Sequence, residues 1–254
     1  MRRISRIIND NRMNTLEPVR SATLKSRVVS AIRGAIFSGQ FAPGDPLREL
    51  HLARDLNVSQ PTVREALFEL EKYGLVVRTP NIGTIVTNLG SDEIREQIEL
   101  RLLLEKVAAL KASERMAAAD FRELERRVAV LTAAVAANAY YESAQADLEF
   151  HRQIWACSGN RALARALDQI AVPLFAFVSI LRSAGSQDLI RVMSSHAAIV
   201  EALRQRDRAR IEEVIGQHGQ SAYQEFLNSG TGDCRSYVRQ RLGVATESAP
   251  SSAH

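Results

Sequence analysis

Asp147 and His151 stand four residues apart in a stretch, 143–158, that reads as helix, so both side chains project from one face. His196 and His218 fall on two later helical stretches, which leaves His51 and the C-terminal His254 as the two histidines of five outside this group. A hard carboxylate with three imidazoles is a donor set for Zn, Ni, Mn or Fe, with positions left for water or an anion. Spacing alone keeps a second reading open. Each histidine can equally be a hydrogen-bonded structural residue, and three separate helices have no need to converge.

A different chemistry lies in the first third of the chain. Residues 47–77 read as two short helices joined by a tight turn. In the second, Val63, Ala66, Leu67 and Leu70 form an apolar stripe at the helical period, Ser59 sits where an N-cap belongs, and Pro61 falls in the first turn. Gln60 and Arg64 then project together from the polar side. In a major groove Gln suits adenine and Arg suits guanine, while the hydroxyls of Ser59 and Thr62 can bond phosphate from the helix N-terminus. The first helix, 49–56, offers Leu50, Leu52, Ala53 and Leu56 for packing, and Asn57 suits a left-handed turn. This is a helix-turn-helix pattern, whose second helix meets base edges. Arg33 and Arg48 suit backbone phosphates, with a solvated surface as the alternative for each. Residues 75–78 and 84–86 alternate like two strands around a turn at 79–83, which predicts a wing. Gly83 at its tip allows close approach to a minor groove, or is simply a turn residue.

Other elements must hold these side chains in place. A helix at 28–38, ended by Gly39 and the Pro43-Gly44 turn, precedes the helix pair. After a polar linker at 87–91, Ser91, Asp92 and Glu93 carry a helix-start signature. Six helices follow, at 93–117, 120–138, 143–158, 161–182 with a kink at Pro173, 186–205 and 207–228. The first places Ile94, Ile98, Leu102, Leu103, Val107 and Leu110 on its apolar positions. Short connections predict an antiparallel bundle. The expected fold is therefore mainly α: a basic flexible arm at 1–22, a winged helix-turn-helix at 23–88, an all-α bundle at 91–229 and a flexible tail at 230–254.

Composition agrees. A chain of 254 residues with 46% hydrophobic content has material for two cores. Residues 1–88 hold 13 Lys and Arg against 8 Asp and Glu, whereas 89–254 hold 20 against 21. The positive charge thus lies with the helix-turn-helix, as phosphate contact requires. Cys157 and Cys234 are too few for a disulfide scaffold, the first residues lack an apolar signal core, and the run 170–181 is short for a bilayer and broken by Pro173. A cytoplasmic protein without a membrane partner is the expectation.

Two sets of spaced residues carry a resemblance. Ala31-Ile32-Arg33-x-Ala35-Ile36-x-x-Gly39, Pro43-Gly44, Leu47-x-Glu49-x-x-Leu52-Ala53, Val58-Ser59 and Val63-Arg64-Glu65-Ala66-Leu67 resemble the GntR family of bacterial winged-helix regulators over most of residues 23–88. Asp147-Leu148-Glu149-Phe150-His151, Ser158-Gly159-Asn160, His196-x-x-Ile199-x-x-Ala202-Leu203 with Asp207, and His218 resemble the FCD ligand-binding domain of the FadR-type branch, and six helices suggest its VanR-like subgroup. The resemblance implies a repressor that binds a pseudo-palindromic duplex operator as a homodimer. It implies Asp147, His151, His196 and His218 as ligands of a divalent metal (Zn, Ni or Mn), with Arg101 and Asn160 facing a small carboxylate effector that relieves repression of a metabolic operon. An Arg fork is the right chemistry for that carboxylate. The chain departs from the family where Arg is common and Gln60 stands here, and where Thr-Pro is common and Pro61-Thr62 stands here, so its operator preference is its own. The rival reading is a metal-dependent hydrolase, which lacks an evident general base because Glu149 points off the Asp147/His151 face.

Overall fold

The computed structural model describes residues 24–79, 83–183, 189–224 and 228–242. The arm at 1–22 and the residues after 242 lie outside this set.

The N-terminal part packs α1 (Leu24–Phe37) and the short α2 (Glu49–Asp55) against α3 (Gln60–Lys72). The stripe of Val63, Ala66, Leu67 and Leu70 is fully buried, facing Val28, Val29, Ile32 and Ile36 of α1. Ser59 caps α3, its Oγ accepting from the backbone N–H of Thr62, and Asn57 turns the chain with φ of 52°. β1 (Val76–Thr79) and β2 (Gly83–Val86) pair antiparallel, Val76 opposite Val86 and Thr79 opposite Gly83, and make the wing. One detail differs from the sequence reading: Leu50 is 63% exposed, because α2 buries only its Leu52/Ala53 side.

The C-terminal part is a bundle of α4 (Ser91–Arg115), α5 (Ala118–Ala136), α6 (Tyr140–Cys157), α7 (Arg161–Ser183), α8 (Leu189–Gln205) and α9 (Arg208–Ser221). Asp207 caps α9 by accepting from the Arg210 N–H. α4 starts at Ser91 as its acidic first turn suggests, but no side chain caps it. The Ser91 N–H donates instead to the carbonyl of Gly232. The inward face of α4 is also not the one its apolar residues suggest. Ile94 and Ile98 are buried, but so are Arg101 and Glu105, while Leu100, Leu103 and Val107 face outward.

A flexible tail after Gly230 is not what the described residues show. α10 (Cys234–Leu242) buries Cys234, Tyr237 and Val238 in a cluster with Leu89, Ile94 and Ile180, and Arg235 pairs with Asp45 at 3.2 Å. Three apolar residues one turn apart are enough for a docked helix when a preformed surface receives them.

α7 joins the two halves. It is one uninterrupted helix through Pro173, and residues 171–180 are all buried. By length and composition it is apolar enough to cross a membrane, yet its apolar sides are covered by the winged helix on one flank and by α4 and α6 on another. Pro173 has no N–H for the carbonyl of Gln169. Gly74, just past α3, sits at that spot with φ of 67°, where a Cβ would meet Pro173 Cγ at 3.0 Å and the Gln169 oxygen at 3.6 Å. Ser179 adds a second tie, its Oγ donating to the Phe37 carbonyl at 2.8 Å. Gly74→Ala is expected to destabilise the chain by about 1–2 kcal/mol or more, from the left-handed backbone and the contact with Pro173 together. A urea midpoint unchanged from wild type would show that this close approach does not constrain the fold.

Candidate functional site

Asp147 and His151 on α6, His196 on α8 and His218 on α9 converge. All four are buried, and one donor atom from each lies within 4.8 Å of the others. His196 Nε2 is 2.9 Å from Asp147 Oδ1, His151 Nε2 is 3.0 Å from His218 Nε2, and His151 Nε2 is 3.5 Å from Asp147 Oδ1. Ligand bonds of about 2.1 Å put neighbouring donors about 3–3.4 Å apart around one cation, so the set fits a single metal ion. The groups behind the ligands fit as well. His151 Nδ1 faces the Glu105 carboxylate at 3.2 Å and His218 Nδ1 faces the Ser195 hydroxyl at 2.7 Å. Partners of this kind fix a tautomer and leave Nε2 to ligate. Burial, then the neighbouring His196 and His151, pushes the His218 imidazole well below its ordinary range, which keeps it neutral as a ligand must be.

Arg101 lies beside this cluster, only 2% exposed. Its Nη1 donates to the Tyr223 hydroxyl at 2.7 Å, its Nη2 donates to Glu105 Oε1 at 3.1 Å, and the guanidinium stacks over Phe175 of α7 at 4.6 Å. Burial alone would raise the Glu105 carboxyl, but Arg101 and then His151 outweigh it and pull it down to about 2. The same ring of Phe175 lies 5.6 Å from the His151 ring. Gly219 lets α4 come this close to α9, since a Cβ there would overlap the Leu102 side chain. A polar groove between α8 and α9, lined by Ser195, Ala198, Arg210, Gln217 and Gln220, reaches His218 from outside.

Asn160 does not belong to this site. It is exposed, and its Oδ1 accepts from the Leu163 N–H, capping α7. Glu149 is spent on Arg127 and Arg152 at the surface. Reading the sequence missed Tyr223, Ser195 and Phe175, which reach the cluster through the fold and have no local signal. Glu105 was in view, four residues after Arg101, and that spacing places both on one helix face.

On the winged helix, Gln60, Arg48 and Arg64 are exposed, and so is Gly83 at the start of β2 with φ of 95°. Arg64 is held by a fork to Glu49 of α2, with Nε and Nη2 donating to its carboxylate at 2.8–3.1 Å. Ser59 and Thr62 bond each other through their hydroxyls at 2.8 Å. Arg33 departs from the expectation of a phosphate contact on an open surface: it is half-buried, and its Nε is buried without a partner among the described residues. Phe68, unremarked in the sequence, is half exposed one turn beyond Arg64, with Lys72 4.6 Å and Arg78 5.7 Å from its ring.

A winged helix-turn-helix fused to an all-α bundle with a buried Asp/His cluster is the build of a DNA-binding transcriptional regulator. Residues 24–86 match the family described as "Bacterial regulatory proteins, gntR family", and residues 96–221 match the FCD domain. A transcriptional regulator from the TAR-I ttuE-ttuC' intergenic region of Agrobacterium vitis is 34% identical over 151 residues, covering 57% of this chain and 86% of that one. The "Probable D-xylose utilization operon transcriptional repressor" of Paenarthrobacter nicotinovorans is 29% identical over 201 residues, 77% of this chain and 85% of that one. The solved structure of E. coli McbR/YncC superposes with a TM-score of 0.70 at 22% identity, covering 81% of this chain and all of that one, which speaks to the fold. The chain belongs to the GntR family, with an FCD domain, and is a DNA-binding transcriptional regulator rather than an enzyme.

The buried Arg101–Glu105 pair makes a direct prediction. Arg101→Met should cost about 3–5 kcal/mol, because Glu105 is left charged and buried, and adding Glu105→Leu should recover part of that loss. Equal unfolding midpoints for the single and double variants would show that the pair is not energetically coupled.

Proposed function

We propose that the chain represses a metabolic operon as a homodimer on a pseudo-palindromic operator, and that a small organic acid bound at a divalent metal in the bundle releases it. The observation that carries this reading is the convergence of Asp147, His151, His196 and His218 beside the guanidinium of Arg101. The bound cation would supply a Lewis-acidic anchor for an anion. Arg101 then orients the acid, and Glu105 and Ser195 hold the tautomers of His151 and His218.

Phe175 supports a route outward. Its ring touches both Arg101 and His151, and it stands two residues from Pro173, against which Gly74 of the winged helix packs. An acid that changes the seat of Phe175 would bias the placement of α3, provided it binds the two arrangements with different affinity. The outward stripe of Leu100, Leu103 and Val107 on α4 supports a second copy of the chain as the partner that covers it. A metabolic target is supported by the xylose operon in the name of one relative, and a DNA-bound regulator works in the cytoplasm.

On the DNA side, Arg64 and Gln60 read base edges, Ser59, Thr62 and Arg48 sit near phosphates, and Gly83 brings the wing close to the minor groove. DNA must compete with Glu49 for Arg64. Arg64→Ala is expected to weaken operator binding about 5- to 150-fold while leaving metal content unchanged. A thermal-shift series of carboxylic acids should show stabilisation that a chelator abolishes and that His151→Ala removes. Acid-induced stabilisation that survives both treatments overturns the metal-site reading, and operator affinity unaffected by Arg64→Ala overturns the reading face.

A further inference from the structure

Three buried polar atoms at the site have no hydrogen-bond partner among the described residues: Glu105 Oε2, Arg101 Nε and His196 Nδ1. Buried polar groups are almost always paired, and a group left alone costs roughly 1–3 kcal/mol, so Glu105 Oε2 and Arg101 Nε, on two side chains already bonded to each other, point to something that completes them. Their chemistry says what. Arg101 Nε can only donate and Glu105 Oε2 can only accept, and Tyr223, whose oxygen takes the Nη1 bond, has its own O–H to direct elsewhere. A plain carboxylate satisfies the donors and leaves the acceptor bare.

We propose that Glu105 selects the effector's class: the acid carries a hydroxyl or ammonium group whose hydrogen is accepted by Glu105 Oε2, while its carboxylate takes the Arg101 Nε–H. This rests on the organic-acid reading above and narrows it to hydroxy or amino acids, against oxo and unsubstituted acids.

The neighbours of Glu105 make the assignment testable. Oε1 already accepts from Arg101 Nη2 and lies 3.2 Å from His151 Nδ1, so that position must remain an acceptor. In Glu105→Gln the amide oxygen therefore takes the Oε1 place and the amide nitrogen takes the Oε2 place. An acceptor facing the effector becomes a donor, and the preference should invert.

The experiment is calorimetric titration of the full chain, loaded with Zn, using matched acids that differ only at one carbon: propionate, lactate, alanine and pyruvate; succinate, malate, aspartate and oxaloacetate; gluconate and its 2-oxo counterpart. Wild type is expected to bind the hydroxy or amino member of at least one set about ten- to a hundredfold more tightly than its oxo and unsubstituted partners. Glu105→Gln should favour the oxo member of that set. Metal content is measured in parallel. Equal binding across a set in wild type, or a hydroxy preference that persists in Glu105→Gln, overturns the role of Glu105 while leaving the acid sensor standing. Failure of every acid to bind wild type removes the sensor itself. Should Glu105→Gln not fold, the wild-type comparison decides alone.

Discussion

Burying charge is the constraint that organises the bundle. Arg101 and Glu105 point into the interior from α4, where an unpaired ion would be prohibitively costly, and every neighbour is arranged to relieve that cost. Glu105 answers Arg101 and reaches His151. Tyr223 takes the second arm of the guanidinium, and Phe175 covers its face. These bonds tie α4 to α6, to α7 and to the turn after α9, so the ligand cluster is positioned by the same contacts that make the charges tolerable. A site of this kind cannot drift far without exposing or orphaning an ion, and such rigidity is what a binding constellation needs to hold its geometry.

The second constraint is the shared core. Val63, Leu67 and Leu70 of the winged helix belong to one continuous apolar cluster with Leu167, Val172 and Phe175 of α7. The DNA-reading part is thus packed on the bundle by the helix that lines its site, with Arg235 of α10 gripping Asp45 from the other side. Close-packed interiors transmit displacement instead of absorbing it.

Much of this was legible in the sequence. The α3 stripe, its Ser59 cap, the left-handed Asn57 and the strand alternation of the wing are local signals, and each appears where its spacing places it. The four metal-type ligands were also legible as a set, although their convergence came from resemblance and not from spacing. What escaped is long-range. Leu103 and Val107 look like core by periodicity, yet Arg101 and Glu105 took the interior because they neutralise each other there, a compensation that an apolar pattern does not register. Asn160 looked like a ligand by its company, but at a helix start its own backbone claims it. Among the residues of α10 whose burial is described, Cys234, Tyr237 and Val238 are buried among polar ones, so the helix depends on the surface that Leu89, Ile94 and Ile180 present.

The two constraints together limit how an effector can act. A ligand that merely fills the site, binding equally well to every arrangement of the winged helix, shifts nothing however tightly it holds. The contacts that can discriminate include those on Phe175, which faces the site from the helix that packs on Gly74, and on Arg101 of α4, whose guanidinium lies over the Phe175 ring. Typical coupling between sites is about 1–3 kcal/mol, the worth of one or two charge-assisted hydrogen bonds. Under the proposed reading, an acid that completes the orphaned atoms of Arg101 and Glu105 would gain energy of that size beside a ring of α7. Satisfying buried polar atoms and displacing the recognition helix would then be the same event.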